Sequence, residues 1–345
     1  MPGKLSQGLD PAGHSFLVTG GAGFIGSHIV RWLVANGAQV RVLDLLAPRQ
    51  WNNLATILDR IELFEGNICD MDTVRQAVTG VQYVLHLAAL TSVPESVAHP
   101  EHNLASNVIG THNILVAARE AAVRRVVFSS SCAVYGDQAS PHHEGLAPRA
   151  LSPYAAAKLS GEQLCRSFTH VYGLPTVCLR YFNVFGPGQN PFGSYAAVIP
   201  QFIMMLLRGQ RPVIYGDGRQ ARDFVYVDDV VKANLLACSA EAVVGGEFNV
   251  GTGQETSILD LLTALKDGLQ VKSRPIFAPA RVGDIVRSYG DISRARTLLG
   301  YRPSVGLAEG LRETFQWYRE QGARFWVQAK ENAPQAFSPR PSLAY

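Results

Sequence analysis

The sequence predicts an α/β fold, a doubly wound and mostly parallel sheet with a smaller C-terminal lobe. Three observations carry this expectation. Short apolar strands alternate with amphipathic helices through the first half, a glycine-rich turn joins the first strand to the first helix, and the alternation becomes irregular after residue 180. Strands that each feed a crossover helix form a sheet covered on both faces, and such sheets bind ligands outside the carboxyl ends of their strands.

The first strand is "SFLVTG", and "TGGAGFIGSHIV" (residues 19–30) turns it into a helix. Ile29, Val30, Leu33 and Val34 return at helical spacing until Gly37 ends the helix, and a second apolar strand closes at Asp44. In such a unit Gly20 permits a tight turn, Gly23 lets backbone amides approach a pyrophosphate, and Gly26 lets helix and strand pack closely. The helix N-terminus supplies unpaired N–H groups for the phosphates. Asp44 can accept both hydroxyls of an adenosine ribose and would repel a 2′-phosphate, which favours NAD over NADP. Arg41 and Arg49 are the nearby cations that could instead turn toward a phosphate. The bland alternative is a turn and helix that serve as empty scaffold.

"RIELFEGNIC", "YVLHLAA" and "RRVVFSSS" are the next strands, with "NLASNVIGTHNILVAAREA" as a long helix between the last two. A further helix, "SPYAAAKLSGEQLC", places Tyr154 and Lys158 on one face. Beyond it, "YFNVFGPGQNPFGSYAAVIPQF" is a long loop, followed by short strands and helices. Residues 15–180 are expected to form mainly the dinucleotide domain. Residues 181–325 form mainly a substrate-binding lobe with segments returning to the main core, and 326–345 a polar, Pro-rich tail.

Composition narrows the class. Charged residues make up 17% and hydrophobic residues 47%, as in a folded soluble protein. A formal charge of +3, with Lys and Arg scattered along 345 residues, gives no sign of a nucleic-acid groove, and no nucleic-acid partner is expected. Five cysteines without a CxxC pair read as reduced thiols of a cytoplasmic protein, and no apolar stretch suggests a membrane span or signal peptide. His142 and His143, in a polar loop, lack a matched third ligand, so no metal is expected. His86 reads as a neutral structural histidine, and Asp228 with Asp229 as a helix start.

The chemistry centres on Tyr154. A phenol with a pKa of about 10 is a poor base unless an ammonium such as Lys158, or an oxidised nicotinamide, stabilises its anion. Lys158 can also bond a nicotinamide ribose. "VVFSSSCAVYG" adds hydroxyls at a strand's carboxyl end: Ser131 is expected to bond the reacting hydroxyl or carbonyl, Ser129 and Ser130 to satisfy backbone or cofactor groups, and Tyr135 to line the pocket.

The order of "TGGAGFIGSH", "HLAA", "SSSCAVYG", Tyr154 with Lys158, "RYFNVFGPGQNP", "GDGRQARDFVYVDDV", "FNVGTG" and "RVGDIVRSYGDISRARTLLGY" resembles the extended short-chain dehydrogenase/reductases of the nucleotide-sugar epimerase branch. The resemblance covers about residues 15–320 and implies a Rossmann-type sheet. It further implies a tightly held NAD that takes a hydride from C4 of a UDP-hexose and returns it to the other face through a 4-keto intermediate. Ser131, Tyr154 and Lys158 would be the catalytic set. Gly20, Gly23, Phe24, Ile25, Gly26, Asp44, Asn67, Ile68, Leu87, Ala88, Ala89 and Asn107 would join Tyr154 and Lys158 around the cofactor. Where the family often has Gly-Asp-Ile beside adenine, this chain has Gly66, Asn67 and Ile68, and an asparagine can still accept and donate there.

For the substrate, the resemblance assigns Asn183, Arg222 and Arg281 to the diphosphate, Asp284 to the uridine ribose and Val198 to the uracil. It also implies a homodimer pairing through the helices at "NLASNVIGTHNILVAAREA" and "SPYAAAKLSGEQLCRSFTHVY". The residue four beyond Asp284 stands beside the hexose C2 substituent in the family, and here it is the small Ser288; Ser92 matches a second position near the sugar. Together they point to UDP-N-acetylglucosamine 4-epimerases. The alternatives are a UDP-glucose or UDP-uronic acid 4-epimerase, with Arg287 reaching a C6 carboxylate and Ser288 simply a small loop residue, or a non-catalytic NAD-binding scaffold on the same fold. The sister 4,6-dehydratases follow their hydroxyl residue with Asp-Glu, whereas Cys132 and Ala133 follow Ser131 here.

Overall fold

The computed structural model describes residues 9–47, 50, 52–192, 196–280 and 285–331. The first half runs β1 (Ser15–Thr19), α1 (Phe24–Ala35), β2 (Gln39–Asp44), β3 (Glu62–Glu65), α2 (Met71–Val78), β4 (Tyr83–His86), α3 (Val93–Ala98), α4 (Pro100–Leu104) and α5 (Gly110–Glu120). β5 (Arg125–Ser131), α6 (Pro153–Tyr172) and β6 (Thr176–Tyr181) complete it. The second half holds β7 (Asn183–Phe185), α7 (Val198–Leu207), β8 (Val213–Tyr215), β9 (Ala221–Arg222), β10 (Phe224–Tyr226) and α8 (Val227–Ser239). Then come β11 (Glu247–Val250), β12 (Thr256–Ser257), α9 (Ile258–Leu269), β13 (Ile276–Ala278), β14 (Arg287–Ser288) and α10 (Leu307–Glu331).

Seven strands form the main sheet in the order β11-β6-β5-β4-β1-β2-β3, and every pairing is parallel. The order departs from β1 in both directions, which makes the gap between β1 and β4 the switch point where such sheets take ligands. Alternating side chains feed two cores. Phe16 and Val18 pack with Ile29 and Leu33 of α1 and Val230 of α8, while Leu17 packs on the other face with Val74, Ile114, Leu115 and Phe168. A third core gathers Phe185, Phe202, Ile203, Phe224, Leu261, Leu262 and Tyr318 in the smaller lobe.

The glycine turn is a close approach of backbones. Gly20 has φ +67°, and a Cβ there would lie 2.8 Å from the Ala88 nitrogen. A Cβ at Gly26 would lie 2.3 Å from the Gly20 carbonyl oxygen, so the first turn of α1 packs directly on the end of β1.

Three features differ from the sequence expectation, and one further feature concerns the route of the chain. The helix expected from Asn103 starts at Pro100 and carries a π-helical turn at Ala105–Ile109, and the short α3 precedes it, capped by Ser92. β11 leaves the smaller lobe and completes the main sheet beside β6, as a returning segment. α10 continues to Glu331, beyond the expected start of the tail. His142, expected in a polar loop, is fully buried and stacks on Tyr135 at 4.9 Å. No helix among the described residues is long and apolar enough to cross a membrane.

Gly26→Ala should lower stability by about 1–3 kcal/mol, because a fixed backbone rather than a flexible side chain must move. Urea denaturation checks this; an unchanged midpoint would show that α1 can lift off β1 freely.

Candidate active site

At the switch point the side chains expected around a dinucleotide converge on the ends of β1, β2 and β4. Asp44 accepts from the Ala22 nitrogen at 3.0 Å and the Leu46 nitrogen at 3.2 Å, and burial raises its pKa. Phe24 and Ile25 open α1, whose N-terminus has no side-chain cap and no acid in its first turn. Arg41 does not turn toward this site. It donates to the Ala77 and Thr79 carbonyls at 2.7 and 2.8 Å and pairs with Glu62, closing the C-terminus of α2. Arg49 lies outside the described residues.

Asn67 is exposed and accepts from the Cys69 nitrogen at 2.9 Å, while Ile68 is buried against Gly110. Leu87, Ala88 and Ala89 follow β4, half-buried. Asn107 is buried, accepting from the Leu90 nitrogen and donating to the Leu90 carbonyl, both at 2.8 Å; its side chain braces the loop after β4.

His86 is structural, and its tautomer follows from its partners. Thr111 gives its hydroxyl proton to the Asn107 carbonyl, so it accepts from Nε2–H of His86 at 3.0 Å. Thr19 already accepts from the Leu87 and Ala88 nitrogens, so it donates to Nδ1 at 2.7 Å. A second ring proton has no acceptor, and burial pushes the pKa down to about 3.

The chemical end is built on β5 and α6. Ser131 is the last residue of β5. Ser152 caps α6 by accepting from the Ala155 nitrogen at 3.1 Å, Pro153 takes the first turn, and the Tyr154 nitrogen donates to Ser96 at 3.1 Å. Tyr154 thereby meets the Ser131 hydroxyl, to which it hydrogen-bonds; burial lifts its pKa to about 12 against that bond. Lys158, one turn on, donates to the Ser129 carbonyl at 2.8 Å, with its Nζ 5.9 Å from the Tyr154 ring centre. Burial brings its pKa down to about 8, opposed by Cys165 and Glu162.

The other hydroxyls have different tasks from those expected. Ser129 pairs with the Tyr181 hydroxyl at 3.0 Å and Ser130 donates to Glu162 at 2.6 Å, so both meet side chains. Tyr135 does not line a pocket: it is fully buried, donating to Asn249 and accepting from Arg180.

On the far side, β9 and β14 pair so that Arg222 stands opposite Ser288. Ser288 is a buried strand residue and not a loop residue, and its hydroxyl hydrogen-bonds Cys132. Cys132 also bonds Ser131 and feels the Arg222 charge; burial pushes its thiol up to about 11. Ser131, Tyr154, Cys132, Ser288 and Arg222 therefore form one cluster, and Cys132 is the member that motif spacing missed. Asp223 was also missed. It is fully buried and holds the Thr252 and Gly253 nitrogens and the Thr252 hydroxyl, tying β9 to the loop after β11.

Asn183 is exposed at the start of β7, Val198 opens α7 half-buried, and Ser92 accepts from the Glu95 nitrogen as the cap of α3. Arg281 and Asp284 lie outside the described residues. Arg287 is exposed and bonded to Glu255, with Nε 2.7 Å from the carboxylate. Among the described residues, the only gathering of metal-ligand types, His99, Glu101 and His102, is exposed.

A switch-point cradle together with half-buried Ser131 and Tyr154 beside a buried Lys158 defines an NAD-dependent enzyme class, and comparison with known proteins agrees. Residues 16–251 match the model of the NAD dependent epimerase/dehydratase family, and the chain belongs to that family. A UDP-glucose 4-epimerase of Mycolicibacterium smegmatis is 42% identical over 310 residues, covering 88% of this chain and 98% of that protein. A UDP-N-acetylglucosamine 4-epimerase from Methanobrevibacter ruminantium M1, solved with UDP-N-acetylmuramic acid, superimposes with a TM-score of 0.85 at 39% identity, covering 90% of this chain and 99% of that one. A UDP-glucuronic acid 4-epimerase from Bacillus cereus, solved with UDP-glucuronic acid and NAD, gives 0.82 at 31% identity, covering 89% and 99%.

The His86 pKa has a consequence for acid stability. The unfolded histidine titrates near 6.5 and the folded one near 3, so its contribution is complete above pH 6.5 and is lost as pH falls from there toward 3. Between pH 7.5 and 5 this amounts to about 2 kcal/mol. His86→Gln, which cannot titrate, should show a correspondingly shallower loss in urea titrations; an identical slope would remove His86 from the acid response.

Proposed function

We propose that the protein is a UDP-hexose 4-epimerase with bound NAD, acting on UDP-N-acetylglucosamine and UDP-N-acetylgalactosamine. The observation that carries the proposal is the hydrogen-bonded Ser131–Tyr154 pair with Lys158 one turn away. The glycine turn fits the cofactor: α1 presents an uncapped N-terminus, and only glycines at 20 and 26 leave room for the backbone there. Gly20, Gly23, Phe24, Ile25 and Gly26 would hold the pyrophosphate, Asp44 the adenosine ribose, and Asn67 and Ile68 the adenine. Leu87, Ala88 and Ala89 would line its path, braced by Asn107. When bound, NAD supplies a reversible hydride acceptor at C4 of the sugar.

The protein's own work is proton transfer and anchoring. Tyr154 takes the proton of the 4-hydroxyl, relayed through Ser131, and gives it back when the sugar is reduced on its other face. With a pKa of about 12 in this structure, Tyr154 needs a positive charge to act, and Lys158 together with an oxidised nicotinamide provides it. Arg222 and Asn183, with Arg281, would hold the diphosphate, Val198 the uracil and Asp284 the uridine ribose. Firm anchoring there lets the hexose turn over between the two halves of the reaction.

Ser288 supports the N-acetylated sugar, being small, buried and next to Ser131 through Cys132, and Ser92 sits before α3 as a second polar group. Arg287 already pairs with Glu255, which disfavours a uronic acid. Cys132 and Ala133 supply neither the acid nor the base that dehydration needs. The exposed Leu104, Ile109, Val171 and Tyr172 on α4 through α6 favour a homodimer through these helices.

Tyr154→Phe should lower turnover at least 100-fold while leaving UDP binding near that of the parent. Retention of parent turnover would remove Tyr154 from the reaction. Ser288→Tyr should harm UDP-N-acetylglucosamine turnover about tenfold or more beyond its effect on UDP-glucose. Parent preference for UDP-glucose or a UDP-uronic acid in the same assays would overturn the sugar assignment.

A further inference from the structure

The structure contains a buried ion pair beneath the reacting cluster, formed by residues outside the sets assigned to cofactor and substrate. Glu162 lies one helical turn beyond Lys158 on α6 and is 3% exposed; Arg180, on β6, is 2% exposed. Arg180 bonds both carboxylate oxygens in a fork, Nε to Oε1 at 2.8 Å and Nη2 to Oε2 at 2.7 Å, and Ser130 donates to the same carboxylate at 2.6 Å. The remaining Arg180 Nη1 donates to the Tyr135 hydroxyl at 2.9 Å, which donates to Asn249 at 2.7 Å. One carboxylate thus joins α6 to β5 through the residue preceding Ser131, and to β6 through Arg180.

We infer that Glu162 and Arg180 are positioning residues for the reaction: their buried pair fixes the register of α6 on β5 and keeps the fixed charge beside Lys158 at zero. This rests on the epimerase reading for its kinetic consequence, but its electrostatic half does not. Lys158 faces Tyr154, Glu162 and Cys165 on its own helix, the neutral His86 from β4, the Phe128 ring and Ser129 carbonyl from β5, and, through Glu162, Arg180 from β6. Glu162 is the carboxylate among these that favours the ammonium. Leaving either partner alone therefore places an uncompensated charge near Lys158, of opposite sign in the two cases.

The two single variants should accordingly move Lys158 in opposite directions. Glu162→Gln leaves the guanidinium unbalanced, so the ammonium loses its proton at lower pH; Arg180→Gln leaves the carboxylate unbalanced, so it loses the proton at higher pH. The combined variant Glu162→Gln with Arg180→Gln should return close to the parent. Glu162→Asp retains the charge but cannot span the distance, so it should lower kcat several-fold with the pH profile in place and KM little changed.

Two measurements read this in the full-length protein with NAD supplied. The first is the alkaline limb of kcat for UDP-hexose epimerisation, expected near pH 8 in the parent. The second, independent of activity, is urea stability from pH 7 to 10.5. Folded Lys158 titrates near 8 and unfolded lysine near 10.5, so the unfolded chain binds more protons between these values and stability rises with pH there. The onset of that rise should move down by about one pH unit in Glu162→Gln and up in Arg180→Gln. Should either single variant not fold, the combined variant and Glu162→Asp still decide the matter: the parental onset in both supports the inference, and a displaced onset in either overturns it. Shifts in the same direction, or stability lost equally at every pH with the onset fixed in both single variants, would reduce the pair to a structural role. A parent inactive on every UDP-hexose would instead defeat the epimerase reading while leaving the onset test in force.

Discussion

Helix α6 lies so close to strand β5 that a methyl group at Gly161 would sit 2.4 Å from the Phe128 ring. That approach is the constraint on which the site depends. It lets the Lys158 ammonium reach the Ser129 carbonyl across a gap that admits no water-sized spacer, and a charge-assisted bond of this kind contributes about 1.5–3 kcal/mol. With Lys158 fixed, Tyr154 falls one turn back over the carboxyl end of β5, where Ser131 terminates the strand. The alanines at 155 and 157 are buried in the same seam. A bulkier residue at any of these positions would lift the helix and separate the phenol from its hydroxyl partner.

The opposite wall of the cleft is tied together by one buried carboxylate. Asp223 has no exposed surface, and burial raises its pKa, yet it accepts three bonds from Thr252 and Gly253 at 2.6–3.0 Å. Those bonds gather the loop after β11 against β9, and β9 in turn carries β14 beside it. Ser288 is delivered to Cys132 by that pairing. This wall of the cleft is thus shaped by strand register, which a side-chain substitution at 288 changes in volume without changing in place.

Much of this was legible in the sequence because local rules decide it. Apolar strands with glycine at the first turn specify β1, α1 and β2 almost alone, and Tyr154 with Lys158 needs only helical spacing to share a face. The neutral role of His86 was likewise readable from its place at the end of a buried strand. What escaped depends on residues brought together from far apart. Arg41 could be read as a phosphate ligand until α2 placed its carbonyl ends beside it. Tyr135 and Glu162 belong to a network joining β5, α6, β6 and β11, and no spacing rule relates them. Cys132 was read as a reduced thiol and as the absence of an acid, because its link to Ser288 spans nearly half the chain.

The central claim is that one bound cofactor and one proton-transferring tyrosine serve both halves of an inversion at C4. The direct measurement is the fate of deuterium placed at C4 of UDP-N-acetylglucosamine, followed by NMR of the equilibrium mixture with UDP-N-acetylgalactosamine in ordinary water. The account predicts that both epimers keep the deuterium at C4, because it returns to the sugar it left without reaching solvent. Epimerised product carrying solvent hydrogen at C4 would contradict it.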